Sequence, residues 1–354
     1  MRLVVDALAA DFGGIRTYVE NLLAAWDEPG DELLVMVHEG SDLATGHHAR
    51  CEVRIPRPGP VGRPLRQSVV TKRLVADFGA DAVLATMPST SLVRVGVPLA
   101  VVVHDLRHEL RPEQFSRSRR LLRKVAYGRA YDLADVIIAV SQRSLDDLQR
   151  LHPHLRTTPS TVVHHGADHV LSWPEAVPSP APRSGPAITF AHHTNKNPHL
   201  VLDAWAHGVS QGLDLPSLQV LGTGDQRNAL NSRVSELGLT GLVTLAPYLP
   251  EAEFRQAMAR ASMIVFPSDF EGFGLPIVEG MLLGIPVVIG PEPASLEVAG
   301  GHAAVMSSFS APGLAEAVAR ASRFDEERLT QAREHAARFT WRRSVAQTRA
   351  ALAG

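Results

Sequence analysis

The chain has 354 residues, with 45% apolar and 20% charged side chains and a formal net charge of −2. Those values exclude a disordered chain, give no electrostatic case for nucleic acid, and suit two domains of ordinary size. One cysteine, Cys51, excludes an internal disulfide and points to a reducing compartment, the cytoplasm.

The first residues, MRLVVDALAA, read as a strand rather than a signal peptide, because Asp6 breaks the apolar run. No run approaches 18 apolar residues, so no spanning helix is expected. Strand-like runs at 3–5, 33–37, 52–55, 82–85, 99–103, 136–140 and 161–163 alternate with helical patterns at 15–26, 66–78, 117–130 and 142–151. That alternation predicts an α/β fold with parallel sheets. The stretch 171–186, with five prolines, reads as a linker. The alternation then restarts with strands at 187–191, 218–221, 243–245, 263–266 and 287–289. Helices between them are expected at 198–209, 226–237, 251–260 and from 275, with tail helices at 311–321, 325–338 and 340–352. The expected division is a first domain 1–170, a linker 171–186, a second domain 187–338 and a terminal helix 339–354.

Several strand ends carry chemistry, as ligands in open α/β sheets sit beyond the carboxyl ends of strands. Asp11-Phe12-Gly13-Gly14-Ile15-Arg16 follows the first strand and opens a helix, which suits an anion or a tight turn equally. His104-Asp105 ends the strand 99–103, and Ser141 is placed to cap the helix 142–151. Lys196 stands in a loop before Pro198, and Gly222-Thr223-Gly224 follows the strand 218–221. Between 107 and 129 eight basic side chains face only Glu109 and Glu113. That excess suits a solvated face, an anionic membrane surface or an acidic acceptor. The sixteen histidines lack metal-ligand spacing and no D-x-D occurs, so no metal site is expected.

The most informative stretch is MIVFPSDFEGFGLPIVEGMLLGIPVVIG, residues 263–290. A strand leads through a glycine-rich turn into a helix with Pro276 in its first turn, where a missing N–H costs nothing. The helix start can hold phosphate, and Glu271 and Glu279 can accept hydrogen bonds from sugar hydroxyls. A diphosphate flanked by two sugars, a nucleotide sugar, satisfies both features.

Glu271-GFGLPIV-Glu279, with its flanking strand and GIPVV, resembles the E-x7-E motif of retaining GT-B glycosyltransferases, specifically glycosyltransferase family 4. The resemblance implies two Rossmann-like domains facing a central cleft, with the last helix crossing back to the first domain. It implies transfer of a hexosyl group from a nucleotide-diphosphate sugar, GDP- or another NDP-hexose, by a front-face mechanism without metal. The acceptor would be a carbohydrate, a lipid-linked or a small molecule. In this likeness Gly13, Gly14, Lys196 and the helix start at Gly272, Phe273, Gly274 and Leu275 hold the donor phosphates. Gly222, Gly224 and Tyr248 lie by the nucleotide, Glu279 takes the ribose and Glu271 the transferred sugar. His104 approaches the donor sugar, with Arg16 and Asp105 on the acceptor side. The chain departs from the pattern in two places: Asn195 stands where an arginine is usual, and His164-His165-Gly166-Ala167-Asp168 replaces an asparagine-led loop. The missing arginine keeps open a non-catalytic binding subunit, and an epimerase is the other competing reading. A glycosidase would need a second carboxylate opposite Glu271.

Overall fold

The structure, a computed structural model, describes residues 1–10, 13–54, 62–174 and 185–353. Asp11 and Phe12 of the first glycine loop, residues 55–61 and the middle of the proline-rich stretch, 175–184, lie outside the described residues. The chain forms two compact units, Met1–Gly166 with Thr340–Gly354, and Ala167–Phe339. Among the described residues no helix is long and apolar enough to cross a membrane.

The first unit runs β1 (Arg2–Asp6), α1 (Gly13–Ala24), β2 (Glu32–His38), β3 (Ala49–Val53), α2 (Gly62–Phe78), β4 (Ala82–Ala85) and β5 (Leu99–Val103). It continues through α3 (Arg107–Leu110), α4 (Arg117–Leu133), β6 (Val136–Ala139), α5 (Gln142–Leu151) and β7 (Ser160–Val162). All strands are parallel, in the order β3-β2-β1-β4-β5-β6-β7. The third strand is expected at 52–55 but starts at Ala49, because β2 sets its register from Leu34–Ala49 to His38–Val53. The central strands are apolar on both faces, as a parallel sheet covered by helices requires. Val4, Val83, Val101 and Ile137 pack with Val75 of α2, Tyr127 and Tyr131 of α4 and Leu148 of α5. Helices α2, α4 and α5 therefore cover one face of the sheet. Each fully buried aliphatic side chain there contributes about 1.5–3 kcal/mol.

Helix α4 continues past the expected end at 130 because Ala130, Tyr131 and Leu133 keep its inner stripe apolar. Its Gly128 has no neighbour within 4 Å of a built Cβ and no positive φ. Gly128→Ala should therefore stabilise the first unit by about 1 kcal/mol through helix propensity alone. A thermal melt that falls instead would show that the open space is not open.

The second unit runs β8 (Ala187–Phe190), α6 (Pro198–Ser210), β9 (Leu218–Leu221), α7 (Arg227–Glu236), β10 (Val243–Leu245), α8 (Glu251–Arg260) and β11 (Met263–Phe266). Then come α9 (Leu275–Leu282), β12 (Val287–Ile289), α10 (Pro293–Ala299), β13 (Ala304–Val305), α11 (Ala311–Ala321) and α12 (Glu326–Ala336). Its six parallel strands are ordered β10-β9-β8-β11-β12-β13. Helix α10 and strand β13, seven and two residues long, are too short for periodicity to reveal. Trp205 anchors the core, fully buried with Val201, Val220, Val265 and Leu314. Its indole N–H is satisfied by Pro216 O at 2.9 Å.

The last helix, α13 (Trp341–Ala353), belongs to the first unit and packs on α1, β5 and β6. Arg349 of α13 donates to the buried carboxylate of Asp31 at 2.8 Å. Burial alone would raise that carboxyl, but hydrogen bonds from Arg349, the chain amino group and Trp26 hold it at about 2.

Candidate active site

In both sheets the strand order reverses at one point, and crevices form there beyond the carboxyl ends. In the first unit the reversal lies between β1 and β4, in the second between β8 and β11. The residues expected to carry chemistry cluster at these two places, so each set can be built from its own sheet.

At the second reversal the loop after β8 meets the loop after β11. Thr194–Lys196 makes one 3-10 turn, and Asn197 takes a left-handed conformation at φ 51° before Pro198 starts α6. Asn197 Nδ2 donates to Pro267 O at 2.9 Å and Asp269 N donates to Asn195 O at 3.1 Å. Buried Asn195 donates through Nδ2 to Phe270 O at 2.8 Å and to Glu271 Oε1 at 3.2 Å. The residue in the place of the usual arginine is thus a clamp on the Glu271 loop. Lys196, only 7% exposed, donates to Glu271 Oε1 at 2.5 Å. Its ammonium also lies 4.2 Å from the centre of the Phe266 ring, a cation–π contact. From sequence alone Lys196 faces a phosphate and Glu271 a sugar; the structure pairs the two side chains with each other. An ammonium has three donors, so one bond to Glu271 leaves capacity for an anion.

The turn closes on Gly274, whose φ of 93° suits glycine, and whose Cβ would meet Ile277 Cδ1 at 2.9 Å. Helix α9 begins at Leu275 with Pro276 in its first turn, and it is buried nearly all round. Phe273 and Leu275 are themselves buried, Phe273 against Phe339, so they offer a ligand backbone rather than side chain. Gly272 is half-buried. Glu279, on the buried helix, has its Oε1 3.3 Å from His169 Nε2. Nothing in the sequence pattern signals His169, because the contact joins residues far apart in the chain.

The G-x-G loop lies beside the same sheet. Gly222 N donates to Pro247 O at 3.2 Å, tying the loop to the segment that carries Tyr248. A Cβ on Gly222 would stand 3.3 Å from His192 Cβ, and Gly224 has a positive φ of 44°. Tyr248 is 64% exposed, with its ring 6.2 Å from that of His192. The pair offers two aromatic faces at the edge of the loop.

In the first unit β1, β4 and β5 end together. Buried Asp6 accepts from Gln67 Nε2 at 2.6 Å and Thr90 Oγ1 at 2.8 Å, both on Oδ2. Thr86 Oγ1 donates to Asp6 O at 2.8 Å, and Thr86 O lies 2.9 Å from His104 Nε2. A carbonyl can only accept, so Nε2 carries the His104 proton and Nδ1 keeps its lone pair. Burial pushes the His104 imidazole below its usual range, against the opposing pull of Thr86 O and Asp105, which favours the neutral ring. His165 is pushed well down by burial and by His104 and His164. Both rings join a cluster with Tyr18 and Trp341, at centroid distances of 4.7 to 6.1 Å. Asp6, Thr86, His165 and Trp341 are supports that sequence spacing does not reveal.

The remaining expected residues have plain positions. Gly13, at φ 66°, and Gly14 are exposed at the start of α1. Arg16 is committed to Glu20 at 2.9 Å and Asp42 at 2.7 Å. Asp105 Oδ1 accepts from Arg107 N at 2.9 Å, which starts α3. Ser141 caps α5, accepting from Ser144 N.

The comparisons follow this division. The family model described as Glycosyltransferase Family 4 matches residues 12–171, and Glycosyl transferases group 1 matches 187–323. The chain belongs to glycosyltransferase family 4. It is 28% identical over 249 residues to the D-inositol 3-phosphate glycosyltransferase of Corynebacterium urealyticum, covering 64% of this chain and 58% of that protein. The D-inositol 3-phosphate glycosyltransferase 1 of Catenulispora acidiphila is 29% identical, with 95% of this chain and 89% of the relative covered. HepE of Anabaena, solved with UDP and glucose, superposes with a TM-score of 0.75 at 21% identity over the whole of both chains. The expected GT-B fold, with its two parallel-sheet units, is therefore the observed one.

Proposed function

We propose that the family 4 chain is a retaining glycosyltransferase that moves a hexosyl group from a nucleotide-diphosphate sugar to an acceptor hydroxyl. The observation that carries the reading is the buried Lys196–Glu271 pair beside the start of α9, at the β8/β11 reversal. Lys196 and the first N–H groups of α9 oppose the charge growing on the departing diphosphate. They supply the positive charge that other enzymes take from a divalent ion, so the reading needs no metal. Glu271 holds hydroxyls of the transferred sugar and Glu279 those of the ribose. His104 Nδ1 accepts a hydroxyl proton in a hydrogen bond from the donor sugar. Gly13 and Gly14 approach the phosphates, with Arg16 and Asp105 shaping the acceptor side. With no carboxylate in the role of nucleophile, retention proceeds by front-face attack. The cytoplasm, at the inner face of the membrane, is the proposed location.

Donor binding tests the reading through a thermal-shift panel of nucleoside diphosphates and their sugars. The panel starts with uridine because the fold relative HepE was solved with UDP. A true donor at a hundredfold excess over Kd should raise Tm by about 5–10 °C. Product analysis then separates the alternatives. Conversion of donor without acceptor would mean an epimerase, and tight binding without turnover a binding subunit.

A further inference from the structure

Half of the large apolar side chains exposed among the described residues lie on one face of the first unit. They are Leu65 and Val69 of α2, Val93, and Leu121 and Val125 of α4, each 42–70% exposed. Helices α2 and α4 share one core, so they cover the same side of the sheet. The segment with Val93 bridges them: Leu92 N donates to Ser68 Oγ of α2 at 2.8 Å, and Arg129 Nε of α4 donates to Leu92 O at 3.1 Å. On α4, Arg117, Leu121, Lys124 and Val125 recur at i, i+4, i+7 and i+8, which is one stripe. On α2, Leu65, Val69 and Lys72 repeat the pattern, flanked by exposed Arg66.

The charges on this face differ from those elsewhere on the unit. Arg2, Arg50 and Arg143 each meet a carboxylate, and on the face itself Arg73 of α2 pairs with Asp77. Arg66 and Lys72 of α2 and Arg117 and Arg120 of α4 meet no carboxylate among the described residues, and Lys124 acts on Glu109 only beyond ion-pair distance. Arg123 and Arg107 turn inward over the Phe115 ring. A face whose cations mostly lack an ion pair, around exposed aliphatic side chains, calls for a partner with negative charge above an apolar layer.

We propose that the α2–Val93–α4 face docks on an anionic lipid bilayer. The cations meet headgroup phosphates, and Leu65, Val69, Leu121 and Val125 enter the headgroup–acyl boundary. A second copy of the chain does not fit, because the face would oppose its own charge. A single-stranded nucleic acid does not fit either, because the exposed apolar side chains are aliphatic and offer no stacking surface. The proposal stands on this surface and not on the transfer reading, so it is tested whether or not transfer is found.

Sedimentation with phosphatidylglycerol–phosphatidylcholine vesicles, against pure phosphatidylcholine, is the test. Binding should require the anionic lipid and weaken with salt. Arg120→Ser with Lys124→Ser, and separately Leu121→Ser with Val125→Ser, should each lower the partition by about tenfold. Val209→Ser, an exposed apolar site in the second unit, should leave it unchanged, and all variants should keep the parent Tm. Equal binding to neutral vesicles, absence of binding to anionic ones, or full binding by the α4 variants would each overturn the proposal.

Discussion

Lys196→Ala and Glu271→Ala should each lower transfer by about a thousandfold and also lower Tm, two effects with different causes. The catalytic loss follows from the proposed roles: one fixed cation on the departing diphosphate and one acceptor for hydroxyls of the sugar. The stability loss follows from the geometry. The two side chains are 9% and 12% exposed and bonded to each other at 2.5 Å. Removing either leaves its partner charge poorly solvated, which costs about 3 kcal/mol, or about 6–12 °C for a unit of this size. Glu271→Gln separates the effects. Its carbonyl still accepts from Lys196 and Asn195, so Tm should stay within a few degrees of the parent while transfer falls. Steady-state kcat/KM and a melt of each variant are the measurements. Near-parental transfer in Lys196→Ala would sink the assignment of the diphosphate site.

The pairing also changes what the missing arginine means. From sequence, Asn195 is a lost charge. In the structure it is a buried amide that fixes Phe270 O and Glu271 Oε1. An arginine at 195 would have to leave that position to reach a phosphate. Lys196 is then the side-chain cation that the loop after β8 keeps in contact with Glu271.

Much of this was legible in the sequence because it is local. Strand and helix periods, the proline at the start of α9 and the glycine at 274 each depend on residues within one turn or pleat. The E-x7-E spacing places Glu271 in the loop and Glu279 inside α9 for the same reason. What stayed hidden depends on pairs far apart in the chain. Asp6 with Thr90, His169 with Glu279 and Ser68 with Leu92 are joined only after the sheets form. The basic run at 107–129 was visible as a count. Its apolar companions on α2 were not, because only the shared core shows that α2 and α4 lie side by side on one face.

Gly166→Ala should cost the first unit about 3 kcal/mol or more, although Gly166 has an ordinary φ and no strain to relieve. The reason is contact. A Cβ there would stand 2.3 Å from Trp341 N, 2.5 Å from Trp341 Cγ and 2.7 Å from Thr340 C. Two of those atoms are backbone at the start of α13, so no side-chain rotation can relieve the clash. Helix α13 would have to lift at its first turn, while Arg349 still ties its other end to Asp31. Trp341 would then leave its place 5.9 Å from the His165 ring and 6.1 Å from Tyr18, and Tyr18 in turn packs on His104. One methyl group should thus lower Tm and also raise the donor KM, through loss of the His104 setting. Gly128→Ala is the control, the same chemical change at a site with room, and it should move Tm the other way. A Gly166→Ala variant with parental Tm would mean that Trp341 does not pack on Gly166 in solution.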